Sequence, residues 1–140
     1  MKQSFPMLVV PVGLYNLLAI VTWMAPGLFG SAADAASRTL FTIPMLSHGM
    51  LAISLGDIIL IIGLMALFAE LVSSTSSSNQ ALVGDALTLV VFVVCLVEFL
   101  LLAPFATPTF LLLLVMVLMD TLAGFIVSTV SARKDIAVGG

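Results

Sequence analysis

The residues of this chain that could do chemistry are few, and most stand inside apolar runs. Asn16, Asp57, Glu98 and Asp120 are the polar groups buried deepest in such runs, and no Lys or Arg shares a run with them. A carboxyl placed at the centre of a membrane span costs about 2.5–3.5 kcal/mol on insertion scales, so each must be protonated or held by hydrogen bonds. Two uses are open to Asn16, Glu98 and Asp120. They can be hydrogen-bond glue between helices, worth about 0.6 kcal/mol apiece, or they can form a proton or cation path.

His48 is the one histidine. It could ligate a porphyrin or chlorin metal singly, take up protons at a surface, or simply bond a loop carbonyl. A bis-histidine haem is impossible with one histidine. Cys95 is the single cysteine, which removes internal disulfides and CxxC chemistry. The eight methionines are scattered and form no metal-binding stripe. Metal-ligand spacing, a nucleophile triad and a Gly-rich phosphate loop are all missing from the sequence. The expectation is therefore no enzyme, no metal and no cofactor.

The elements that must position these residues follow from composition. Hydrophobic residues make up 62% of the 140 and charged residues 8%, against roughly 25% charged in soluble domains. The sequence predicts an all-α integral membrane protein, one domain over 1–140, with four transmembrane helices in an antiparallel bundle. The spans fall at about 6–24, 47–71, 84–103 and 109–131, each near the roughly 20 residues a bilayer needs. The first run has a signal-peptide look, with Lys2 ahead of it, but it exceeds the roughly 7–15 residues of an h-region and reads as a retained helix.

Between the first two spans, Ser31 and Asp34 resemble a capping box, and Asp34 and Arg38 are spaced for an i,i+4 pair. A short interfacial helix from Ala32 to Leu40 is expected there, with Leu40, Phe41, Ile43 and Met45 as its apolar side. The polar run from Ser73 to Gln80 reads as a flexible linker. The third span carries Gly84, Thr88, Cys95 and Glu98 on one stripe, and the fourth carries Asp120, Gly124, Ser128 and Ser131. Pro104 to Pro108 makes the tight turn between them.

The second span holds a seam of small residues, Gly49, Ala52, Gly56, Gly63 and Ala66, ending near Glu70. Small seams let helices approach closely in lipid. Asp57 comes directly after Gly56 and points about 100° away from it, near mid-span. Gly49, Gly56, Asp57 and Gly63 are thus expected to bind a partner subunit or a second copy.

Lys2, Arg133 and Lys134 on one side, against Arg38 on the other, place both termini in the cytoplasm. A multi-pass protein of a bacterial inner membrane is the expectation, in contact with lipid and not with nucleic acid. Its expected function is that of a non-catalytic accessory or assembly subunit of a larger respiratory, photosynthetic or transport complex, bound through the second span. The alternative is a small homodimeric proton-coupled transporter using the intramembrane carboxylates. Small multidrug exporters match this chain in size only; they carry their essential Glu in the first helix, where this chain has Asn16.

Overall fold

A computed structural model of the chain describes residues 5–73 and 79–139. Lys2 and most of the expected linker lie outside the described residues. The elements are α1 (Val9–Met24), α2 (Pro26–Phe29), α3 (Ala32–Ser37), β1 (Thr39–Pro44), β2 (Met50–Ser54), α4 (Leu55–Ser73), α5 (Asn79–Leu101), a 3-10 turn (Ala103–Phe105) and α6 (Pro108–Gly139). Three helices, α4, α5 and α6, are long and apolar enough to cross a membrane. A fourth crossing exists only if α1 is joined to Pro26–Ser37, from which it is bent by 107°. The all-α class and the three to four apolar helices match the sequence reading.

The main departure is a β-hairpin where the second span was expected to begin. β1 pairs antiparallel with β2, from Pro44 opposite Met50 to Thr39 opposite Ser54. The helix therefore starts at Leu55 and not at Ser47. Two local causes fix that boundary. Met45 through Gly49 makes a tight hairpin loop, with the Met45 carbonyl accepting from His48 N–H at 3.0 Å and the Gly49 carbonyl accepting from Met45 N–H at 2.9 Å. His48 sits at φ 64°, the left-handed position that closes a three-residue hairpin loop. Ser54 and Asp57 then cap α4 reciprocally: Ser54 N–H donates to Asp57 Oδ2 at 2.8 Å, and Asp57 N–H donates to Ser54 Oγ at 3.2 Å.

Asp57 consequently lies in the first turn of α4 and not at mid-span, and its carboxylate is spent on its own helix start. Gly49 and His48 belong to the hairpin loop, and Ala52 belongs to β2. Leu40, Phe41 and Ile43 are strand residues, not one side of a helix, and Met45 is the first residue of the loop. The expected short helix does form, as α3, and Ser31 with Asp34 is a complete capping box. Asp34 gives one carboxylate oxygen to both the Ser31 N–H and hydroxyl, at 2.9 and 2.7 Å.

Packing centres on α6, whose residues Phe110, Leu113 and Val117 are fully buried. α4 lies along it in the same direction, held close by glycines one heptad apart. A Cβ on Gly56 would stand 2.7 Å from Thr109 Oγ1 and 3.0 Å from the Ala36 carbonyl. One on Gly63 would stand 2.9 Å from Met116 Sδ and 3.1 Å from Leu113 Cδ2. Gly56 and Gly63 of the glycine seam are therefore packed against α3 and α6 of the same chain. At the hairpin end, Tyr15 locks α1 to the turn before α6. Its hydroxyl donates to the Pro104 carbonyl at 2.9 Å and lies 2.5 Å from Thr107 Oγ1. Its ring packs with Phe105 and Phe110, at centroid distances of 5.6 and 5.0 Å.

Two glycine substitutions test this packing. Gly56→Ala is expected to cost about 1–3 kcal/mol, the range for overpacking, because the Ala36 backbone cannot move aside. Gly63→Ala is expected to cost less, since the Met116 thioether is flexible. Thermal unfolding of the two variants in detergent gives the order.

Candidate functional site

The site begins with a backbone problem. α1 starts without a side-chain cap, and its N-cap Leu8 is fully buried. The first amides of a helix have no partner within it, so they must be met from outside it. Pro6 and Met7 carbonyls serve the amides of Val9 and Val10, at 3.2 and 3.0 Å. Met7 N–H and Leu8 N–H remain, and Glu70 of α4 supplies their acceptor. Met7 N–H donates to Glu70 Oε1 at 2.6 Å, and the Leu8 amide bonds the same carboxyl. A negative group at this point also complements the positive end of the α1 dipole.

The second oxygen of that carboxyl, Oε2, is buried and meets no donor among the described residues. Beside this carboxyl stands another acid, Asp120 of α6, paired with Glu70 side chain to side chain. Two carboxylates can only accept, so the contact is a hydrogen bond when one of them carries a proton. Asp120 is itself buried, at 8% exposed. Its other neighbour is the Thr88 hydroxyl, which also reaches the Gly84 carbonyl at 3.0 Å.

A third acid stands beside them. Asp85, one turn before Thr88 on α5, accepts from Ser128 Oγ at 2.9 Å. Gly124 makes room for it, since a Cβ there would lie 2.5 Å from Asp85 Oδ1. Asp120, Gly124 and Ser128 recur every four residues, so they form one stripe of α6 facing α5. Glu70, Asp85 and Asp120 thus converge from three helices. Among the described residues no group of three His, Cys, Asp or Glu is arranged to hold a metal ion.

Asn16 and Glu98 form a separate link nearer the hairpin end. Asn16 Nδ2 donates to Glu98 Oε2 at 3.3 Å and to the Val12 carbonyl at 3.0 Å, tying α1 to α5. Of the expected polar residues, then, Asn16 and Glu98 come together, while Asp120 lies elsewhere with Glu70. Gly56 and Gly63 line the α4–α6 contact, whereas His48, Gly49 and Asp57 are at the hairpin and the α4 start.

Sequence reasoning overlooked Glu70 and Asp85 as site residues. The signal for Glu70 was its heptad spacing from Gly56 and Gly63, which sets it on the α6-facing side. The signal for Asp85 was its position three residues before Thr88, on the same helix face. No protein-family model matches the chain, and neither a curated protein nor a solved structure matches it.

Substitutions at Glu70 separate its two duties. Glu70→Gln retains an acceptor for the α1 amides, while Glu70→Leu leaves them unpaired, that of buried Leu8 included. Glu70→Leu is expected to be less stable than Glu70→Gln by about 1–3 kcal/mol, the cost of an unsatisfied buried donor. Denaturant unfolding in detergent measures the difference.

Proposed function

We propose that this is a multi-pass protein of the bacterial cytoplasmic membrane, with both termini cytoplasmic, that works as a small proton-coupled transporter. Membrane residence is supported by three to four helices of spanning length and apolarity, with large apolar side chains exposed along α4, α5 and α6. Orientation is supported by Arg133 and Lys134 at the end of α6, against Arg38 beside the hairpin.

The observation that carries the transport reading is the Glu70–Asp120 contact. Two acids press together in an apolar bundle, without a described basic partner, and one of them also holds the start of α1. With a proton between them the pair is a hydrogen bond. Once the proton leaves, two like charges face each other in low dielectric and repel. The charge state of the pair then decides whether α4 and α6 stay closed around it. Asp85 of α5 and Ser128 of α6, bonded to each other, come next and give the proton a route toward the far end. Coupling protonation to helix movement is the physical requirement for proton-driven transport, and intramembrane acids of this kind mark proton relays.

The competing reading is a non-catalytic accessory or assembly subunit of a larger membrane complex. One observation favours it. Only Thr88 and Cys95 of the described α5 side chains are buried, so most of that helix is free to meet another protein.

Proteoliposomes separate the readings. With the purified chain alone, a pH gradient is expected to drive the flux of an organic cation such as ethidium. Asp120→Asn, which is close to isosteric, is expected to abolish it while leaving the unfolding midpoint near that of the unsubstituted protein. Gradient-driven flux that survives Asp120→Asn contradicts the transport reading. Absence of flux together with copurification of a larger complex supports the accessory reading.

A further inference from the structure

The hairpin plays no part in the carboxyl site, yet its hydrogen bonding is only half used. Among the described residues the sheet has two strands, so each strand has one outer edge without a described neighbour. Which groups point outward is set by the register. Met45 N–H bonds the Gly49 carbonyl across the loop, and antiparallel pairs alternate between bonded and non-bonded. Ile43 with Leu51 and Phe41 with Ile53 are therefore the bonded pairs. Thr42 with Ala52 and Pro44 with Met50 are the non-bonded pairs, and their backbone groups face outward.

The two outer edges differ. On β1, Pro44 has no N–H to offer, and the register is irregular between Thr39 and Phe41. Both features blunt an edge against pairing. β2 has neither, and no charged residue stands between Met50 and Ser54. Ser54 N–H is already taken by Asp57, so the open groups on β2 are those of Met50 and Ala52.

We propose that a second copy of this chain pairs its β2 antiparallel with this one, about a two-fold axis through Leu51. In that register Met50 lies opposite Ala52 of the second copy, and Ala52 opposite its Met50. Each pair exchanges both of its backbone hydrogen bonds, and every outward N–H and C=O of the two residues is satisfied. A shift of the centre to Met50 needs strand geometry at His48, which is in the left-handed region. A shift to Ala52 needs the Ser54 amide that Asp57 holds. Centring on Leu51 is the register free of both conflicts.

The faces of the sheet agree with this axis. Phe41, Ile43, Leu51 and Ile53 share one face, while Thr42, Pro44, Met50 and Ala52 share the other. With the first face laid on lipid, the axis between paired edge strands becomes the membrane normal. Two copies inserted the same way in one bilayer require that axis. The inference rests on the membrane reading above and not on the proton reading.

Cross-linking of the full chain in native membranes tests it. Leu51 and its counterpart form a non-bonded antiparallel pair, with Cα atoms about 4.5 Å apart, within disulfide range. In a Cys95→Ser background, Leu51→Cys is expected to give a disulfide-linked dimer on mild oxidation, while Thr42→Cys on the opposite edge does not. Ala52→Pro removes only an outward N–H and leaves the bonds within the hairpin in place. It is expected to weaken the dimer measured by light scattering in mild detergent by about 10-fold or more. A Leu51→Cys protein that stays monomeric, or that cross-links to a different protein, overturns the proposal. So does an Ala52→Pro protein that dimerises as well as the unsubstituted chain. Proton flux enters none of these readouts.

Discussion

A helix whose N-cap residue is buried and offers no side-chain cap must find acceptors for its first amides elsewhere, and that requirement organises this chain. Leu8 is buried and α1 has no cap of its own. An unpaired amide there costs about 1–3 kcal/mol, so a side chain from elsewhere has to supply the acceptor. Glu70 does so, and its placement dictates much else. α4 must lie alongside the start of α1, and α6 must lie close to α4. The glycines at 56 and 63 make that approach possible by leaving no Cβ between the two helices. Continued one heptad further, the same seam ends in a carboxyl where a glycine would otherwise be.

The chemistry at Asp120 is a consequence of that geometry. Glu70 gives one oxygen to α1, and α6 presents another acid beside the same carboxyl. A hydroxyl or an amide in its place would be a donor at every pH. An acid is a donor only when it carries a proton, so the contact depends on protonation while the cap on α1 does not. The same carboxyl therefore joins a permanent structural bond to a conditional one. Asn16 with Glu98, by comparison, is a donor–acceptor pair whether or not the acid is charged.

The helices and one of the two caps were legible in the sequence, and the failures have physical causes. The apolar runs fix the helices because their length and hydrophobicity leave few alternatives. The Ser31–Asp34 capping box is recognisable from S-x-x-D spacing. The same spacing at Ser54–Asp57 is masked because it lies within a longer apolar stretch. Read as a cap, it moves Asp57 to a helix start and releases residues 39–54 to form a hairpin. A continuous apolar run does not separate strand from helix by periodicity, and β-branched Ile and Thr around Pro44 are the remaining clue. The Glu70–Asp120 contact is hidden for another reason. Which faces of two helices meet depends on their offset along the bundle, and that is set by the loops and by the displaced start of α4.

The cap on α1 is tested most directly by residue-resolved hydrogen exchange of the Met7 and Leu8 amides in the intact protein in lipid. If Glu70 holds them, both amides exchange as slowly as Val12 in the interior of that helix. Exchange of Met7 and Leu8 at the rate of unprotected backbone would contradict the role given to Glu70, and with it the packing built upon it.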